Sequence, residues 1–212
     1  MRITGTGHAS IFIETQTSGS ILCDPWVNPA YFASWFPFPD NSQLDWEALG
    51  QCDYLYVSHL HRDHFDAVNL ARNIRKDTVV LFPDFPTSSM EDELRDLGFA
   101  NLRRLPNEEV VELDGGAKVM IQAMTAPTDG PLGDSSIWVE DVDGVRLLNQ
   151  NDSRPHELSA FAKLGHVHAH LLQFSGAIWY PMVYDLPANA KTAFGKQKRE
   201  RQLDRSLRYI ED

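Results

Sequence analysis

An α/β sandwich built from two sheets is predicted for this 212-residue chain by three observations. Short apolar runs of strand length recur along it, punctuated by Gly, Pro and Asp. Stretches with helical spacing fall between them. Tight-turn signals, Asp114-Gly115-Gly116 and Asp141-Val142-Asp143-Gly144, join neighbouring strands, which suits two sheets face to face with helices outside.

Taken in order, the strand-like runs are Ser10–Glu14, Ser20–Cys23, Tyr54–Val57, Thr78–Phe82, Lys118–Gln122, Ser136–Glu140 and Val145–Leu148. Helical spacing appears in Ala67–Arg75 and in Ser89–Gly98, where Gly98 is placed to end the helix. From Lys191 to Asp212 the chain is polar, with Lys196, Lys198, Arg199, Arg201, Arg205 and Arg208 interleaved with Leu203, Leu207 and Ile210. That pattern predicts an amphipathic helix docked on the body with a solvated basic face; phosphate binding by those cations is the sharper alternative. No repeat or linker interrupts the chain, so residues 1–212 are read as a single domain.

With 42% hydrophobic residues, a chain of this length can bury roughly 70% of its unfolded surface. Its 19 basic against 30 acidic residues give a formal charge of −11, which disfavours nucleic acid or an anionic membrane as a partner. Neither a signal peptide nor a spanning apolar segment is indicated, so a soluble, cytoplasmic protein is expected. Cys23 and Cys52 lie in apolar, strand-like surroundings and are expected as buried reduced thiols. They cannot build a Rieske cluster, which needs two Cys and two His on one module; an electron-delivering domain would lie outside this chain.

The segment His59-Leu60-His61-Arg62-Asp63-His64 crowds four metal-ligand types directly behind an apolar run. At a strand end, His59 and His61 point the same way and can share one cation. If the chain turns into a helix at Asp63, that carboxylate and His64 can reach a second, as two-metal sites require. Imidazoles with a carboxylate suit zinc, iron or manganese better than calcium.

These six residues match the HxHxDH signature of the metallo-β-lactamase superfamily, which the chain resembles. Gly7-His8-Ala9-Ser10 with Ile21–Trp26 is similar to the opening hairpin of the branch containing ascorbate-phosphate lactonase-like proteins. Gln173–Asp185 is similar to a stretch of the CMP-N-acetylneuraminate hydroxylase family, which joins this fold to a Rieske domain. The resemblance implies a four-layer αβ/βα sandwich, two bound divalent metal ions, an aspartate at Asp152 bridging them, and His8 beside them in contact with substrate. It also implies further chain beyond residue 212.

Two ligands that the family usually supplies are missing, because no histidine lies between His64 and His156 or after His170. Asp129 stands where the family places the first and is the candidate replacement; a plain Asp-Gly turn is the alternative. Gln173, Ser175 or an open coordination position would stand in for the second. Asp24 before Pro25 is expected to receive the outer N–H of a ligand histidine, and Trp179 and Tyr180 to stack on a sugar or base. His166, His168 and His170 alternate as on one strand face and are read as solvated. The aromatic cluster of Phe32, Trp35, Phe36 and Phe38 is read either as a lid or as core.

Three functions compete. The first is a non-haem di-iron oxygenase hydroxylating a polar or nucleotide-linked small molecule, with electrons from an external Rieske or reductase partner. Two imidazoles with a carboxylate, the arrangement that leaves open positions for iron and dioxygen, favour it. The second is a zinc or manganese hydrolase of an ester, lactone, amide or phosphodiester, in which Asp63 orients a water acidified by the metals to a pKa of about 7. The third is a non-catalytic relative with a decayed site.

Overall fold

The computed structural model describes residues 1–125, 132–155, 158–174 and 179–211. Its first sheet runs in the order β1 (Arg2–Gly7), β2 (Ser10–Glu14), β3 (Ser20–Cys23), β4 (Tyr54–Tyr56), β5 (Val79–Pro83) and β6 (Leu102–Leu105). β1 to β3 pair antiparallel as hairpins, whereas β3 to β6 pair parallel. Helices α1 (Trp46–Leu49), α2 (Ala67–Asn73) and α3 (Ser89–Asp96) fill the crossovers. The second sheet contains β7 (Val111–Glu112), β8 (Lys118–Met124), β9 (Asp134–Glu140), β10 (Arg146–Asn149) and β11 (Ala169–Leu171), in the order β11-β10-β9-β8-β7. Helices α4 (Ser159–Ala162) and α5 (Ala188–Glu211) follow β10 and β11.

Alternation along the strands makes four layers. Ile11, Ile13, Ile21, Cys23 and Tyr56 of the first sheet meet Val119, Ile121, Ile137, Val139 and Leu147 of the second in one buried cluster. The residues between them point away. Leu22, Leu55 and Val80 pack under Leu70 of α2 and Leu94 of α3, while Met120, Trp138 and Leu148 pack with Phe161 of α4 and Tyr209 of α5. Truncating a fully buried residue between the sheets, such as Ile13, would cost about 2–5 kcal/mol.

Several expected elements differ in detail. α2 begins at Ala67, not Asp63; its N-cap is Asp66, which accepts from Asn69 N–H. A tight turn occupies the interval, with Phe65 N–H donating to His61 O at 2.7 Å. β6 carries two arginines in four residues, and β7 has two residues, so neither shows the apolar alternation that marks a strand. α5 presents Gln202, Ser206 and Tyr209 to the body, and leaves Leu203, Leu207 and Ile210 exposed. Polar bonds fix it there: Gln202 Nε2 and Ser206 Oγ both donate to Gln173 O, and Tyr209 Oη donates to Pro155 O. The expected docking holds, but through a face about 100° round the helix from the stripe of Leu203, Leu207 and Ile210.

The carboxyl ends of β3 and β4 open at one rim, where parallel strands leave a crevice for ligands. Tyr56 Oη donates to Ser135 Oγ, whose own proton goes to Ser58 O at 2.7 Å. This chain of bonds ties the loop after β4 to the start of β9. Among the described residues no helix is long and apolar enough to cross a membrane.

Candidate metal centre

Four connections converge at that rim. The β1–β2 turn supplies His8, the loop after β3 supplies Asp24 and Tyr31, the loop after β4 supplies Ser58 to His64, and the loop after β10 supplies Asp152. Strain concentrates here. His8, Asp24, Tyr31 and Asn151 all hold positive φ, between 42° and 53°, a region that costs a non-glycine residue of order 1–3 kcal/mol. Gly7, at φ 110°, permits the His8 turn, since a Cβ there would come within 2.8 Å of Asn41 Nδ2.

Among the described residues two groups of possible ligands result, each with donor atoms within 4.8 Å of one another: His59, His61 and Asp152, and His8, Asp63 and His64. Each has two imidazoles and one carboxylate. His59 Nε2 and His61 Nδ1 are 2.8 Å apart, and His8 Nε2 lies 3.1 Å from Asp63 Oδ2. The groups adjoin through His64, whose Nε2 is 3.6 Å from Asp152 Oδ2 and 3.9 Å from Asp63 Oδ2. That nitrogen is buried and makes no hydrogen bond among the described residues, an arrangement that normally costs about 1–3 kcal/mol and that a cation held between the carboxylates would relieve.

A shell of further polar groups orients these donors. Asp24, fully buried, accepts from Ser58 N–H at 2.8 Å and from Ser58 Oγ at 2.6 Å, and its Oδ2 lies 2.9 Å from His64 Nδ1. This leaves His64 Nε2 facing the site. On the neighbouring imidazole, His59 Nδ1 lies 2.9 Å from Ser58 Oγ and 3.4 Å from Asp134 Oδ1. Tyr31 Oη donates to Asp63 Oδ1 at 2.8 Å.

Burial sets the local electrostatics. It pushes the His59 imidazole well below the usual histidine range, aided by His64 and His61. Burial acts the same way on His64, but the carboxylates of Asp152 and Asp24 outweigh it and raise that imidazole well above the range. Asp152 resists burial because His64 faces it, and its pKa falls to about 2. Asp63 is likewise held low despite burial by His8, His64 and Tyr31. Asp134 goes the other way, pushed well up by burial and by Asp152.

Of the residues expected at the site, His59, His61, Asp63, His64, Asp152, His8 and Asp24 come together at this rim. His8 was expected as a substrate contact, yet its Nε2 lies among the possible ligand atoms. Asp129 and Ser175 lie outside the described residues, as does His156. Gln173 donates to Asp152 Oδ1 at 2.8 Å. Trp179 meets the Tyr31 ring edge-on at 6.2 Å, whereas Tyr180 packs with Tyr184 and Phe194. Only His170 of the alternating histidines lies in a strand, with its Nε2 2.9 Å from Gln150 Oε1. Phe32, Phe36 and Phe38 are exposed, so they are not core. Tyr31 and Asp134 escaped sequence reasoning. Asp134 had a signal only in its place, two residues before the strand-like run Ser136–Glu140.

A family model described as a β-lactamase superfamily domain matches residues 2–179. Proteins of Mycobacterium tuberculosis and Mycolicibacterium smegmatis, both provisionally named Rieske 2Fe-2S iron–sulfur proteins, are 58% and 56% identical over 214 residues, 99% of this chain. The chain spans 41% of the length of each. Among solved structures, CmlA, a diiron β-hydroxylase from Streptomyces venezuelae, superposes with a TM-score of 0.57 at 19% identity, covering 79% of this chain and 33% of that one. An isothiocyanate hydrolase from Delia radicum gut bacteria gives 0.57 at 17% identity, covering 77% and 66%. At such identities the likeness concerns the fold, metallo-β-lactamase in type, on which both hydroxylases and metal-dependent hydrolases are built.

Proposed function

Because the chain belongs to the β-lactamase superfamily, whose domain model matches residues 2–179, we propose that it is the metal-binding domain of a non-haem di-iron oxygenase. In this reading it hydroxylates a polar or nucleotide-linked small molecule with electrons from a Rieske-type donor. The observation that carries the reading is the donor set: two adjoining groups, each with two imidazoles and one carboxylate. Such a set is the two-histidine, one-carboxylate arrangement that leaves positions open on non-haem iron for dioxygen and substrate. The names of the mycobacterial relatives support an iron–sulfur electron source.

His59, His61 and Asp152 would hold one ion and His8, Asp63 and His64 the other, with Asp152 near enough to His64 to serve both. When bound, the ions would supply activation of dioxygen. The chain's own residues orient and exclude. Asp24 fixes the His64 ring, Ser58 fixes His59, and Tyr31 holds one oxygen of Asp63 so that the other faces His8 and His64. Trp179, half exposed beyond Tyr31, offers a stacking face for a sugar or base. Tyr180 and Ser175 are the further candidate substrate contacts, and Asp129 a further candidate ligand or proton acceptor.

The test is oxygen uptake by the iron-loaded chain after a chemical reductant has been added and removed. Uptake that disappears when zinc replaces iron supports the oxygenase. No uptake, together with hydrolysis of an ester, lactone or phosphodiester by the zinc-loaded chain, assigns the site to a hydrolase, since two imidazoles and a carboxylate also hold catalytic zinc.

A further inference from the structure

We propose that the exposed aromatic surface beside the metal centre is the docking face for the Rieske [2Fe–2S] donor, an inference that rests on the oxygenase reading above. The surface has two parts. Phe32, Phe36 and Phe38 project from the loop after β3, and Met182, Val183 and Tyr184 from the segment before α5; all six are exposed, Phe38 by 87% and Val183 by 70%. Tyr31 and Trp179 join them, their rings 6.2 Å apart, and Val183 N–H donates to Trp179 O.

Charge is absent from both parts. In a chain with 23% charged residues, none of Asp, Glu, Lys, Arg or His occurs between Pro25 and Pro39 or between Phe174 and Tyr184. Depletion of charge with enrichment in aromatics and Met is the composition of the core of a macromolecular interface. A small molecule would need concavity, whereas the Phe32 side chain stands entirely in solvent.

Three observations select the donor over other occupants. The patch is one ring contact and one hydrogen bond from a possible ligand, through Trp179, Tyr31 and Asp63, which is where electrons would have to arrive. One side of its rim is basic, where Lys191, Lys196 and Arg199 line a depression with Met182, while Asp40 and Asp185 follow directly on the two charge-free stretches. A donor with an acidic edge would complement that depression. Finally, the relatives named for a Rieske cluster are more than twice the length of this chain.

The experiment measures binding in trans between this chain and the Rieske module of the Mycobacterium tuberculosis relative, used only when its visible spectrum shows an intact cluster. Binding is expected to weaken with added salt, and about tenfold or more in Phe32→Glu and in Val183→Glu. Leu207→Glu, on the other exposed apolar stripe, is expected to bind as the parent does. Circular dichroism and metal content establish that each variant is folded. Absence of binding, or loss in Leu207→Glu with none in Phe32→Glu, overturns the proposal. So does self-association of the chain that Phe32→Glu abolishes, which would assign the patch to a second copy. Oxygen uptake with the chemical reductant does not need the donor and should survive in Phe32→Glu, whose side chain stands in solvent; failed uptake with intact docking would overturn the oxygenase reading alone.

Discussion

Tyr31 Oη donates to Asp63 Oδ1 at 2.8 Å, while the other oxygen of that carboxylate lies 3.1 Å from His8 Nε2. One phenol thus holds one oxygen of the carboxylate and leaves the other to the imidazoles of His8 and His64. Tyr31→Phe removes the hydrogen bond with little change of shape. The expected result is a folded chain whose metal affinity, measured by competition with a chelator, falls about tenfold.

Asp24 is a buried carboxylate that receives three polar contacts, from Ser58 N–H, Ser58 Oγ and His64 Nδ1. Asp24→Ala removes the carboxylate from all three, leaving Ser58 Oγ its contact with His59 Nδ1, and should cost about 3–5 kcal/mol in urea unfolding. Asp24→Asn keeps the volume and should fold, but bind metal about 10–100-fold more weakly because His64 is no longer held in one tautomer.

His61→Ala and Asp152→Ala should lose metal while the domain stays folded, because both side chains lie at the rim outside the packed clusters. Circular dichroism with elemental analysis checks both halves of the statement. Full metal retention in Asp152→Ala would rule out its shared role. Asp129→Asn should weaken metal binding if Asp129 completes the shell, and leave it unchanged if it is a turn residue.

Cys23 and Cys52 are both buried and free. Burial pushes the Cys23 thiol well up and the Cys52 thiol to about 12. Neither has an appreciable thiolate fraction at neutral pH, and the thiolate is the nucleophile. Native protein should therefore resist alkylation from pH 7 to 9, and both thiols should react once the chain is unfolded.

The ligand loop was legible in the sequence because His59, His61, Asp63 and His64 are contiguous, and the inner strands because their apolar runs are unbroken. Ser10–Glu14 and Ser20–Cys23 coincide with β2 and β3. Less legible was whatever depends on distant chain segments. Nothing local marks Tyr31 as the partner of Asp63, 32 residues away, since the contact exists only after the loop after β3 has folded over the rim. The face that α5 turns inward was misread for a related reason: the spacing of Leu203, Leu207 and Ile210 suggested burial, but Gln202 and Ser206 meet the exposed carbonyl of Gln173. β6 and β7 were hidden by their arginines and by their brevity.

The central claim is most directly tested by counting iron, zinc and manganese in the chain purified without chelator or affinity metal. The oxygenase account predicts about two iron ions per chain, one for each group of two imidazoles and a carboxylate. Zinc in their place, with no gain of oxygen uptake on reloading with iron, would contradict it.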